Sequence, residues 1–279
     1  MKLYAIETGL FKLDGGAMFG VVPKPLWERS NPADENNRIE MAARSLLIED
    51  GNRLILIDTG LGNKQSEKFF SHYALWGEYN LSSSLEKAGF HQDDITDIVF
   101  THLHFDHCGG AIVRNKKGFY EPAFKNARFW SHKDHWQWAT APNVREKASF
   151  LPENILPLEE SGQLNLLDGS STPLGFDVFL MDGHTEKQML PKIQYKGKTI
   201  VFVADLIPTA GHLPIPYIMG YDTRPLLSLE EKARFLEEAV SNDYLLFMEH
   251  DAHNELITVK RTEKGVRLNE SFTLGSYFH

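Results

Sequence analysis

Residues 95–110 read ITDIVFTHLHFDHCGG. Ile95–Thr101 is an almost continuously apolar run rich in β-branched side chains, which predicts a strand buried on both faces. It runs straight into His102-Leu103-His104-Phe105-Asp106-His107. Three imidazoles and a carboxylate packed into six residues would strand one another's polar atoms in a protein interior unless a cation or water met them. The i, i+2 spacing also turns His102 and His104 to one side of an extended chain. This stretch therefore predicts a metal site at the end of a buried strand.

Working outward, the same arrangement recurs. Leu54–Asp58 (LILID), Asp177–Asp182 (DVFLMD), Thr199–Asp205 (TIVFVAD) and Tyr244–Glu249 (YLLFME) are further strand patterns. DVFLMD leads to His184, TIVFVAD ends in Asp205, and YLLFME is followed by His250. Open α/β sheets hold their ligands at such C-terminal strand edges. A lone histidine at a strand end is ordinarily a hydrogen-bonded edge residue, and His184 or His250 alone would be read so. The cluster at 102–107 lifts them, since imidazole and carboxylate suit zinc, iron or manganese. Helical patterns lie between the strands. Leu81–Ala88 ends at Gly89, Ser131–Thr140 has Ser131 as its cap, and Ser228–Ser241 has a Ser228 cap with Glu231 as capping-box partner. A hairpin is expected over 256–262 and 265–269, and a long functional loop over 208–225. The class is α/β.

Composition narrows the function. The 279 residues are 42% apolar, enough for a large core, and the formal charge of −9 would repel the phosphates of nucleic acid. One cysteine excludes an internal disulfide. No apolar run is long enough for a signal peptide or a membrane span, so a cytoplasmic location without membrane contact is expected.

His102, His104, Asp106, His107, His184, Asp205 and His250, with Asp58-Thr59-Gly60 after LILI, resemble the motif series of the metallo-β-lactamase superfamily over roughly residues 40–255. The resemblance implies a four-layer αββα sandwich with two mixed sheets and a two-metal site at one edge. It implies that His102, His104 and His184 hold one ion, that Asp106, His107 and His250 hold the other, and that Asp205 bridges them. Asp58 would support the site from outside the ligand set. Asp106 and Asp205 are then the catalytic carboxylates, and a metal-bridging hydroxide, formed because two ions acidify water, is the nucleophile. The ions would be Zn2+, with Mn2+, Fe2+ or Co2+ as alternatives. The expected layout is one domain over 1–279, with 1–40 an N-terminal extension that shapes the substrate pocket.

A narrower likeness is to the YtnP-type quorum-quenching lactonases, through LDGGAMFGVVPKPLW (13–27), THLHFDH (101–107), ADLIPT (204–209), MGYD (219–222) and HDA (250–252). It implies opening of a cyclic ester, an N-acyl-homoserine lactone, as small-molecule substrate, and a homodimer. Met18, Phe19, Trp27, Phe105, His212, Tyr217, Met219 and Tyr221 are the expected pocket residues, although aromatic and Met side chains are also ordinary core formers. Two departures stand out. Pro208 occupies the place where better-known acyl-homoserine lactonases carry a tyrosine, so Tyr217, Tyr221 or His212 would have to substitute. Gln188 replaces the second histidine of GHTxGH, which puts support around the metals in doubt. Cys108 is read as a small buried residue, and His132 and His135 as an amphipathic helix face rather than a metal pair. The alternatives are a metal-dependent esterase, thioesterase or phosphoester hydrolase, a mononuclear iron oxidoreductase, and a non-catalytic binding protein.

Overall fold

A computed structural model describes residues 1–278. In chain order its strands are β1 (Lys2–Asp14), β2 (Arg38–Asp50), β3 (Arg53–Ile57), β4 (Asp97–Val99), β5 (Ile112–Arg114), β6 (Tyr120–Pro122) and β7 (Arg128–His132). They continue as β8 (Leu164–Leu167), β9 (Asp177–Met181), β10 (Gln188–Tyr195), β11 (Lys198–Phe202), β12 (Leu245–Phe247), β13 (Leu256–Thr262) and β14 (Gly265–Phe272). One six-stranded sheet runs β1-β2-β3-β4-β7-β8, a second runs β14-β13-β12-β11-β10-β9, and β5 pairs with β6. Both large sheets are mixed: β3, β4, β7 and β8 are parallel neighbours beside an antiparallel β2–β3 pair, and a parallel β11–β12 pair sits among antiparallel ones. The α/β class with two mixed sheets is thus as expected.

The chain forms two compact units, one of residues 1–10 and 43–170, the other of residues 11–42 and 171 onward. In the first, every residue of β4 is buried, and Phe100 stacks on Phe129 at 5.9 Å. In the second, Phe202 stacks on Phe247 at 5.4 Å, between the parallel strands β11 and β12. Burying such a side chain stabilises the fold by roughly 1.5–3 kcal/mol. These cores fix the strand ends from which the site residues emerge.

Several local expectations change. The second helix begins after His132, whose ring accepts from Asp134 N at 3.2 Å, because Ser131 is still in β7. The third spans Pro225–Ser241, so Ser228 lies inside it and Glu231 caps nothing there. Proline at the first helical position, with its φ already set, starts that helix a turn earlier. β9 is the edge of its sheet and only partly buried, paired on one side by β10. β1, β2 and β10 carried no clear strand signal. β2 is rich in alanine and serine, and Pro191 interrupts β10 opposite Val178. The hairpin is present as β13–β14. Among the described residues, no helix is long and apolar enough to cross a membrane.

Candidate metal centre

In the first unit the chain leaves β4 and presents Thr101–His107 under tight control. Asp58, at φ 56° in the left-handed region, turns the chain after β3. Its Oδ1 accepts from Thr101 N at 2.8 Å, and its Oδ2 accepts from Thr101 Oγ1 at 2.6 Å. The same Oδ2 lies 3.0 Å from His107 Nδ1. A left-handed non-glycine residue costs of order 1 kcal/mol and persists where its surroundings over-determine it. Gly109 and Gly110 let the following turn close onto residues 59–61; a Cβ on either would lie 2.1–2.2 Å from a carbonyl oxygen of Leu61 or Thr59.

Each histidine here is held by one ring nitrogen. His102 Nδ1 faces Thr101 Oγ1 at 3.1 Å, His104 Nε2 faces Glu146 Oε1 at 3.0 Å, and His107 Nδ1 faces Asp58. A carboxylate only accepts, and the Thr101 hydroxyl already donates to Asp58, so the facing ring nitrogen in each case carries the proton. The opposite nitrogens then present lone pairs. Two of them, His102 Nε2 and His104 Nδ1, lie 3.0 Å apart in a buried position. Two lone pairs at that separation require a positive charge between or beside them. Asp106 is buried too, its Oδ1 3.9 Å from His107 Nε2.

The second unit repeats the device. His184 Nδ1 faces Asp222 Oδ1 at 2.9 Å, and His250 Nδ1 faces the Ala42 carbonyl at 2.8 Å. Their Nε2 atoms each lie 3.0 Å from a different oxygen of Asp205, His184 from Oδ2 and His250 from Oδ1. One carboxylate is thus spread between two imidazoles. Burial disfavours charge on His184, but Asp205 and Asp222 outweigh it and push its pKa up to about 10, a local field that favours a cation. Asp205 sits in the Ala204–Leu206 turn, entered through Ala204 at φ 40°. Gln188 Oε1 accepts from Asp205 N at 3.0 Å, so the residue that departs from the family motif supports the site through the backbone.

The loop that carries His184 is clamped by the Pro225–Ser241 helix. Glu231 accepts from the amides of Asp182 and Gly183 at 2.8 and 2.9 Å. Arg224 N donates to the Gly183 carbonyl at 2.9 Å, and Thr223 N donates to the His184 carbonyl at 3.1 Å.

The remaining residues fall as follows. Phe105 packs against Phe69 and Tyr73 at 5.3 and 4.7 Å between centroids. Met18, Phe19 and Trp27 are wholly buried; Phe19 stacks on Trp27 at 5.2 Å and on His212 at 4.2 Å. His212 is tied at both nitrogens, to Thr209 Oγ1 and to the Met18 carbonyl, and burial drives its pKa down to about 3. It has no free donor with which to replace a tyrosine. Tyr217 is half-buried, Met219 is buried and Tyr221 is exposed. Cys108 is buried, and burial pushes its thiol up to about 12. His135 is buried as a structural acceptor: Leu103 N donates to its Nε2 at 2.8 Å, which steadies the peptide between His102 and His104. Glu146 had no signal in the sequence to mark it, and Asp222 lay within the MGYD segment without being singled out.

A buried set of oriented imidazoles and carboxylates in a mixed α/β fold defines a metal-dependent hydrolase. The model of the metallo-beta-lactamase superfamily matches residues 39–250, and the chain belongs to that superfamily. It is 22% identical to an N-acyl homoserine lactonase of Bacillus cereus over 91% of this chain and 94% of the relative. Among solved structures, a probable metal-dependent hydrolase from Staphylococcus aureus is 29% identical, with a TM-score of 0.86 over 98% of both chains. The dizinc quorum-quenching lactonase AidC is 25% identical, with a TM-score of 0.80 over 97% of this chain and 95% of that one.

Proposed function

We propose that the chain opens a cyclic ester, an N-acyl-homoserine lactone, at a centre of two divalent ions, with zinc the expected metal. The observation that carries the proposal is the orientation of five imidazoles, each with one ring nitrogen fixed by an oxygen and the other turned to a further candidate ligand: His102 to His104, His107 to Asp106, and His184 and His250 to Asp205. His102, His104 and His184 would hold one ion; Asp106, His107 and His250 would hold the other. Asp205, whose two oxygens already face two imidazoles, would be shared. The donor set of nitrogen and oxygen fits zinc. When bound, such a pair supplies an acidified water and a Lewis acid for the ester carbonyl.

The protein's own residues do the rest. Asp58, Glu146, Asp222 and the Ala42 carbonyl hold the ring tautomers, so no ligand must reorient before the reaction. Asp106 is the proton carrier of this proposal. It takes a proton from water as the carbonyl is attacked and returns one to the ring oxygen as the C–O bond breaks, consuming one water and giving one open-chain hydroxy acid, whose carboxyl group then releases its proton to solvent. Phe105, Phe69 and Tyr73 supply an apolar group for the acyl tail. The N-terminal extension enters through residues 15–27, whose buried aromatic stack braces the loop after Asp205. The relatives' activity supports the substrate class.

The test is metal content per chain, measured beside hydrolysis of lactones, esters, thioesters and phosphoesters. Two ions per chain are expected, with kcat/KM for homoserine lactones rising by up to roughly fourfold per added methylene until the pocket is full. An absent lactone response beside brisk thioester or phosphoester cleavage would move the substrate to another class.

A further inference from the structure

The stretch from Asp205 to Asp222 begins and ends at residues of the proposed centre, yet its only regular structure is two short turns, at Ala204–Leu206 and Ala210–His212. Something else must hold its middle. The Pro225–Ser241 helix sends Lys232 into it, 1% exposed. Its ammonium donates to three main-chain carbonyls: His212 at 2.9 Å, Pro214 at 3.1 Å and Tyr217 at 2.7 Å. All three N–H bonds are spent on these carbonyls. Burial is costly for this amine, lowering its pKa to about 7 while the charge of Asp222 acts to raise it, and a methionine would fill the same space without that cost. The three carbonyls are what the charge secures.

From the opposite side the N-terminal segment closes on the same stretch. Gly220 N donates to the Ala17 carbonyl at 2.8 Å, and His212 Nε2 meets the Met18 carbonyl at 2.9 Å. Gly20, at φ 57°, lies so close that a Cβ would stand 2.6 Å from the Ile218 carbonyl oxygen. Phe19 touches both His212 and Tyr217 with its ring.

We propose that Lys232 is a positioning residue: it pins residues 209–217 through their carbonyls, and through them sets the fit of the substrate's acyl part while leaving the metal ligands in place. The proposal rests on the lactonase reading above. It makes Lys232 a determinant of substrate fit acting through the loop, without touching the substrate itself.

The experiment compares the wild type with Lys232→Met and Lys232→Gln in three measurements: metal per chain, amide exchange across 209–220, and kcat and KM for a short- and a long-chain homoserine lactone. Lys232→Met should keep its two ions and its folding, while exchange in 209–217 speeds up by about tenfold or more as charged hydrogen bonds are lost. KM for the long-chain lactone should rise about fivefold with kcat little changed, and the short-chain lactone should respond less. Lys232→Gln, which keeps two donors, should fall between; it also carries the comparison if the methionine variant does not fold. Unchanged exchange and KM, or an equal loss of kcat for both lactones, would overturn the proposal. A wild type that opens no lactone counts against the proposed function instead, and Lys232 is then judged by exchange and by KM for whichever ester the enzyme cleaves.

Discussion

Each site histidine is held from behind by a group that could easily be taken for background: a threonine, a glutamate, two aspartates and a peptide carbonyl. These partners separate ligation from support, and the difference is measurable. His102→Ala should abolish tight metal binding at its ion, whereas Asp58→Ala should weaken it about 10- to 100-fold, as expected when only the orienting partner is lost. Metal retained per chain during dialysis against a weak chelator checks this, and equal loss in both variants would place Asp58 among the ligands. The ligands themselves were legible because chemistry forces unusual residues together at 102–107. Asp222 and Glu146 were not, because a supporting carboxylate can arrive from any loop the fold brings near. Gln188 shows a third case: judged as a missing histidine side chain, it contributes through the amide of Asp205.

Secondary-structure elements set how these residues are delivered. The Pro225–Ser241 helix places adjacent side chains of opposite charge, Glu231 and Lys232, on two different loops. Amphipathic spacing correctly marked this helix, but a capping rule assigned Glu231 to its own helix end, when the carboxylate serves the amides of 182–183. The close fit there makes Gly183 sensitive. An alanine Cβ would lie 2.4 Å from Ser228 N and Oγ. Gly183→Ala should therefore destabilise by about 1–3 kcal/mol as the helix or the loop gives way, and should weaken metal retention at His184. Gly9→Ala, where nothing lies within 4 Å, is the control expected to change neither. Thermal melts with metal analysis check the pair. Strands whose apolar runs are bounded by turn residues were readable for the same reason the helix was: burial imposes a period. β2 and β10 are held by their neighbours in the sheet rather than by their own propensity, and so gave no such pattern.

For the whole molecule, metal binding couples to stability. Ions that bind only the folded chain stabilise it by RT ln(1 + [L]/Kd), about 4 kcal/mol at a thousandfold excess over Kd. Chelation should therefore lower Tm, on the order of 10 °C for a chain of this size, while far-UV circular dichroism at 25 °C stays near its starting value because apolar burial builds the sheets. A Tm unchanged by chelator would argue against folded-state metal binding. The buried thiol of Cys108, described above as a packing detail, has a practical consequence for following such transitions. With its pKa pushed up to about 12 and no access to solvent, it stays protonated and hidden at neutral pH. The chain is thus already a silent background for maleimide chemistry. A single cysteine introduced at exposed Tyr221 would be the one reactive handle while the protein is folded, ready to carry a fluorophore that reports the loop's motion; the appearance of a second reactive thiol would signal that the core itself had opened.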